Sequence, residues 1–227
     1  YDFYVRANCG SESSNWIGPM VVRTNCAEFV DISDNPFIED FNSYTTDIAT
    51  SSNAPGTYPN HTMPQCWSFL NMASSTYGYP QMFLSSNSFA ASGNCLFFKG
   101  SASVNAFVTL PKFNESLNLI RVAFTTCFES EDRGVLVFGV MTDPNDESTF
   151  IPLDTIANNE SKIRHEYLLD QYELYGTEYH ITFRFGDIEN WYLGIDDIVV
   201  DLAPTCRRVE NIAAIDSTIT TTSAQIS

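Results

Sequence analysis

Apolar and polar positions alternate in short runs along most of this chain, and turn residues separate the runs. PFIEDF (36–41), QCWSFL (65–70), PQMFLS (80–85) and NCLFFKG (94–100) open the series. Runs at 105–113, 117–128, 133–142 and 149–156 continue it, and those at 163–174, 177–186 and 191–202 close it. Period-two alternation rich in Val, Ile, Phe, Tyr and Thr is the pattern of half-buried strands. Only HEYLLDQYEL (165–174) also fits a turn of helix. Some ten strands with no strong helix predict an all-β sandwich or barrel. No blade-length repeat is present, so the irregular polar loops point to a two-sheet jelly-roll sandwich rather than a propeller.

The two ends read differently from the middle. Residues 1–26 form two strand-like runs around a polar, Ser-rich loop that carries Trp16. The YDFYVRA strand and the loop ending in SSNWIGP resemble the last strands of a fibronectin type III domain. Residues 207–227, with VENI and then TTSAQIS, resemble the first strands of a following one. The division is therefore 1–26, 27–206 and 207–227, with neighbouring type III domains as partners in the same chain. Tyr1 already lies inside a β-like run, so the chain reads as a segment of something longer.

Charge narrows the function. Against 28 Asp and Glu stand 11 Lys and Arg, a formal charge of −17 in 227 residues. Phosphate backbones and anionic membrane surfaces repel such a domain, and no apolar run is long enough to span a bilayer. No nucleic acid and no membrane span are expected, and cations are the natural partners of this field. The six cysteines form no CxxC pair, which removes zinc-ribbon and thioredoxin-like readings. Buried free thiols and one to three disulfides of an exported protein both stay open. Cys26 and Cys206 bracket the middle domain and suggest a staple at its neck.

Two acidic motifs mark the ends of that domain: Phe37-Ile38-Glu39-Asp40-Phe41 and Gly194-Ile195-Asp196-Asp197-Ile198. Acids between large apolar residues are costly unless paired or bound to metal. First and last strands of a jelly roll are commonly neighbours, which would gather several carboxylates, and calcium would relieve their repulsion. Solvent-exposed edge acids are the alternative. Glu39 shares a strand face with Phe37 and Phe41, so it is expected to point inward, and either aspartate is able to do so.

The early FIEDF strand, then PQCW, LPKF, GVMTDP and YLGIDDIVV, together resemble MAM-like and galactose-binding-like jelly rolls. The cleaved-adhesin modules of secreted bacterial proteases are similar as well. The resemblance implies a structural calcium on Glu39 and on Asp196 or Asp197, and an extracellular or cell-surface setting. The cysteine spacing departs from MAM domains, so no disulfide pairing carries over.

Catalytic signatures are missing. There is no GxSxG, and His165-Glu166 lacks the second histidine of HExxH because Leu169 stands there. Asp143–Glu147 lacks EF-hand spacing and reads as a plain turn. Trp67 reads as core, whereas Tyr77 and Tyr79, in a Gly/Ser-rich loop, are candidate ligand contacts. The leading expectation is a non-catalytic, calcium-stabilised binding or adhesion module whose ligand is a glycan or a host or matrix protein. The alternative is a carbohydrate-binding accessory module of a glycan-degrading enzyme.

Overall fold

A computed structural model describes residues 2–21, 26, 29–44, 64, 66–72, 80–100, 104–128, 135–157, 161–186 and 192–206. Near the N-terminus lie β1 (Asp2–Val5), β2 (Asn8–Cys9), β3 (Glu12–Ser13) and β4 (Ile17–Val21). The sandwich follows with β5 (Phe37–Glu39), β6 (Ser68–Leu70), β7 (Gln81–Ser85), β8 (Cys95–Lys99) and β9 (Ala106–Thr109). It is completed by β10 (Ile120–Phe128), β11 (Val135–Met141), β12 (Phe150–Ala157), β13 (Ile163–Leu168), β14 (His180–Gly186) and β15 (Tyr192–Leu202). Each of the eleven alternating runs holds one of β5–β15. Short 3-10 turns occupy Leu117–Leu119, Glu147–Thr149 and Leu169–Tyr172. The run that also fitted a helix thus divides into strand β13 and a single turn. It is too short to nucleate an α-helix against the sheet pairing that β10 offers.

Two antiparallel sheets form the sandwich. The first runs β13-β10-β15-β8-β7, and β5 joins β15 beyond the end of β8. The second runs β12-β11-β14-β9-β6. Strand β15 is the first sheet's spine: it pairs with β10 along most of its length and with β8 and then β5 on its other edge. The expected meeting of first and last strands is the pairing of Glu39 with Ile198. This is the jelly-roll sandwich the alternation predicted.

Between the sheets lies one aromatic-rich core. Phe98, Phe124, Phe128, Phe138, Phe183 and Phe185 are fully buried. Phe124 meets Phe183 edge-on at 4.8 Å, and Phe138 stacks on Tyr167 at 4.4 Å. Burial of each such ring contributes roughly 1.5–3 kcal/mol. Trp67 belongs to this core, edge-on to Phe41 at 5.9 Å. Strands β10 and β11 are buried on both faces, because Ala123, Cys127, Val137 and Met141 are covered as well.

The neck staple is a correction. Cys26 is bonded to Cys66, with Cα atoms 5.3 Å apart, and Cys206 is an exposed free thiol. The Cys66 backbone, in the left-handed region just before β6, brings its side chain within the span a disulfide bridges. Cys9, Cys95 and Cys127 are also free, the last two buried. Of the terminal segments, residues 2–21 form a ribbon in which β1 pairs with β4 and β2 with β3. Residues 207–227 lie outside the described residues.

Candidate functional site

The acidic junction sits where β15 changes partner. Register against β10 shifts between Ala123 and Thr125, and Asp197 takes a left-handed backbone (φ 49°). This bulge inserts one residue. It lets Leu193 and Ile195 before it, and Ile198 and Val200 after it, all reach the core. Asp196 is thereby turned to the outer face of the sheet, while Glu39, opposite Ile198, stays on the core side. Both acids are buried, at 9% and 1% exposure for Glu39 and Asp196. Asp197 is half-buried, and its carbonyl accepts a hydrogen bond from Arg164 Nη1 at 2.8 Å.

Each buried carboxylate is held by donors of the protein itself. Glu39 Oε1 accepts from Phe41 N at 2.8 Å and Oε2 from the Tyr44 hydroxyl at 2.9 Å. Asp196 Oδ2 accepts from Ala91 N (2.7 Å) and Ser92 N (3.1 Å), and Oδ1 from Asp197 N (2.7 Å). Burial nevertheless pushes both carboxyl groups above their ordinary range, outweighing these bonds. Neither acid pairs with a basic side chain among the described residues. Among those residues no three His, Cys, Asp or Glu side chains converge on one point. The junction offers hard oxygen donors, the kind calcium takes, with one buried carboxylate on each side of the sheet. Further ligands would have to be backbone or amide oxygens.

A strap, residues 86–94, closes over the outer face at the same place. Phe89 lies across Gly194 and packs on Phe97 at 5.1 Å, and Phe97 meets Tyr192 at 5.5 Å. With Ala90 and Cys95 these residues make a second, small apolar cluster outside the sandwich. Asn94 ties the strap to the turn after β5: its N–H donates to Asn42 Oδ1, and its amide donates to the Phe41 and Tyr44 carbonyls.

A second grouping occupies the outer face of the other sheet, and no sequence motif announced it. The order β12-β11-β14-β9 brings Phe150, Gly139, Arg184 and Phe107 together from four strands. The Phe150 ring lies across Gly139, where a Cβ would come within 2.7 Å of Phe150 Cζ. It meets Phe107 edge-on at 5.4 Å, and the Arg184 guanidinium stands 5.6 Å from its centroid. At the rim Asn71 Nδ2 donates to Glu147 Oε2 (2.7 Å) and to the Asn105 carbonyl (3.1 Å). Beneath, the buried Thr109 and Thr182 hydroxyls share a hydrogen bond at 3.1 Å. Ring, guanidinium, amide and carboxylate thus share one face. The other predicted contacts, Tyr77 and Tyr79, lie outside the described residues.

The histidines that the structure describes are strand residues. His165 Nε2 shares a hydrogen bond with Thr126 Oγ1 at 2.8 Å, and its ring lies 5.3 Å from Phe124. Burial holds it, and likewise His180, below the ordinary imidazole value. Asp143–Glu147 is the expected plain turn, in which Asp146 caps a 3-10 turn by accepting from Ser148.

No protein-family model matches the chain. No curated protein sequence matches it either. Similar solved structures do exist. The K1 cleaved adhesin domain of Lys-gingipain from Porphyromonas gingivalis W83 superposes with a TM-score of 0.50 at 11% identity, over 75% of this chain and 99% of that one. The K2 cleaved adhesin domain of Lys-gingipain gives 0.49 at 8% identity, over 74% and 98%. The CBM22-1 xylan-binding domain from Paenibacillus barcinonensis gives 0.43 at 12% identity, over 75% and 95%. At such identity the fold alone is shared, a jelly-roll β-sandwich similar to that of the first of these domains.

Proposed function

We propose that this chain is a non-catalytic binding or adhesion module of an exported multidomain protein, and that its ligand binds the outer face of the second sheet. The observation that carries the proposal is the Phe150 ring flanked by Arg184 and by the Asn71–Glu147 pair. A flat apolar ring beside fixed hydrogen-bonding groups suits a sugar, whose ring face is apolar and whose rim is hydroxyl. That chemistry favours a glycan as the ligand, the role of a carbohydrate-binding accessory module. A host or matrix protein is the second reading, supported by the likeness to a cleaved adhesin domain. An extracellular or cell-surface setting agrees with the Cys26–Cys66 disulfide.

Two further elements belong to the proposal. Calcium at the junction, with Glu39 and either Asp196 or Asp197 as the expected ligands, is supported by two buried acids with no basic partner among the described residues. Fibronectin type III strands at 1–26 and 207–227 are supported at the first end by the ribbon, whose strands pair with each other and whose side chains from Tyr4 to Gly18 are exposed.

The test is a glycan array with matrix proteins printed alongside, probed with the wild type, Phe150→Ala and Arg184→Ala. Glycan binding that falls about tenfold (about 1.4 kcal/mol) in Phe150→Ala agrees with the proposed face. Unchanged binding by a folded Phe150→Ala protein refutes that face, and exclusive binding to matrix proteins replaces the glycan reading.

A further inference from the structure

Resting on the glycan reading of the second sheet's outer face, we propose that the sugar bound there is acidic. It is a single hexuronic acid within an otherwise neutral glycan, and Arg184 receives its carboxylate. Arg184 lies on the central strand β14, between Val137 of β11 and Phe107 of β9. Its side chain is half-buried, with the guanidinium 5.6 Å from the centroid of the Phe150 ring. A ring attracts a cation but offers no in-plane acceptor for its N–H groups. Arginines on the first sheet are placed differently. Arg121 donates to both carboxylate oxygens of Asp201 and stands 3.7 Å from Glu166, and Arg164 donates to the Asp197 carbonyl. No described residue accepts a hydrogen bond from the Arg184 guanidinium or forms an ion pair with it.

In a chain with 28 acidic side chains against 11 basic ones, a half-buried guanidinium given only a ring is a cost that a ligand removes. A carboxylate is the group that removes it best, because arginine presents paired donors in the geometry a carboxylate accepts. The same face limits the ligand to one acid. At the rim the Glu147 carboxylate, held by Asn71 Nδ2 at 2.7 Å, would repel a second. Both hydrogens of that amide are donated, to Glu147 and to the Asn105 carbonyl, so this end presents acceptors suited to sugar hydroxyls. The formal charge of −17 likewise repels polyanions, but salt screens that field beyond about 8 Å, whereas a bidentate pair acts at contact. A hexuronic acid meets all these demands. Its ring face is apolar for Phe150, its carboxylate is attached directly to the ring, and its hydroxyls reach the rim.

The probes are the methyl glycosides of glucuronic and galacturonic acid, each matched with its neutral methyl glucoside or galactoside. They are titrated into the 15N-labelled full chain and followed by amide shifts. At least one uronide is expected to move the Phe107, Gly139, Phe150 and Arg184 resonances and to bind at least tenfold more tightly than its neutral match. Arg184→Gln should make acid and neutral sugar equal while keeping the neutral affinity. Arg184→Lys, which keeps the charge but loses the fork, should retain part of the preference and serves as the second variant if Arg184→Gln does not fold. Phe150→Ala should weaken both sugars alike. Equal affinities in the wild type, with binding lost in Phe150→Ala, would overturn the acidic ligand and leave the glycan face standing. A folded Arg184→Gln protein that keeps the preference would overturn it too, since the guanidinium then only packs on the ring. No shift at these residues from any of the four sugars would remove the glycan reading and this inference together.

Discussion

At Gly194 the strap residue Phe89 lies directly against the first sheet, and replacing this glycine gives a sharp prediction. A Cβ at this position would lie 2.7 Å from Phe89 Cβ and 2.8 Å from the Phe89 carbonyl oxygen. Carbon pairs rest at about 3.5–4.0 Å, so Gly194→Ala must lift the strap by about 1 Å. Two effects follow from that lift. Phe89 withdraws from Phe97, and the bonds from Ala91 N and Ser92 N to Asp196 stretch past hydrogen-bonding length. Forced overpacking costs about 1–3 kcal/mol. The gain of about 0.5–1 kcal/mol for Ala over Gly in a strand offsets part of it. Two stretched bonds to a buried carboxylate add about 1 kcal/mol, because the strap amides are free to turn to water. The net loss is about 2 kcal/mol, or about 4–8 °C in Tm for a domain of this size. Thermal melts followed by circular dichroism measure the loss, and hydrogen exchange at the Ala91 and Ser92 amides measures its cause. A Gly194→Ala protein that melts at or above the wild type, with both amides still protected, would refute this account of the strap.

Chelation with EGTA should lower Tm by about 5–10 °C, with recovery in excess calcium, since an ion at about 100 times its Kd adds about 2.7 kcal/mol; an unchanged melt removes the calcium. The raised carboxyl groups of Glu39 and Asp196 contribute stability that is full below the ordinary carboxylate range and is lost as pH rises through their raised folded values, so metal-free Glu39→Gln should lose less stability over that rise, read as urea midpoints at several pH values. His165 works in the opposite sense: its lowered folded value means that stability drains as pH falls through the ordinary imidazole value, and His165→Gln should flatten urea midpoints between about pH 7 and 5. Opening the Cys26–Cys66 link, which closes a loop of 40 residues, should cost about 4 kcal/mol, measured by urea unfolding with and without reductant; a loss below about 1 kcal/mol contradicts it.

Much of the fold was legible along the chain because strand formation is a local matter of alternation and turn residues. All eleven runs became strands, and Trp67 and Phe41 entered the core as their apolar neighbourhoods implied. The inward turn of Glu39 was legible too, since residues two apart on a strand share a face. The direction of Asp196 was not. Both faces of β15 looked apolar in sequence, and only the bulge at Asp197, forced by pairing with β10 and a change of neighbour from β8 to β5, decided it. The partner of Cys26 was equally hidden, because bonding follows the approach of two Cα atoms in space, while the bracketing cysteine is merely distant in sequence. Phe150, Phe107, Arg184 and Gly139 carried no shared motif for the same reason. The sequence by itself determined which segments are strands and which residues seek the core, through forces acting over a few residues. The order of strands, the bulge and the strap, and with them every candidate binding face, were decided by the tertiary structure, because register and sheet order arise from contacts between segments many residues apart.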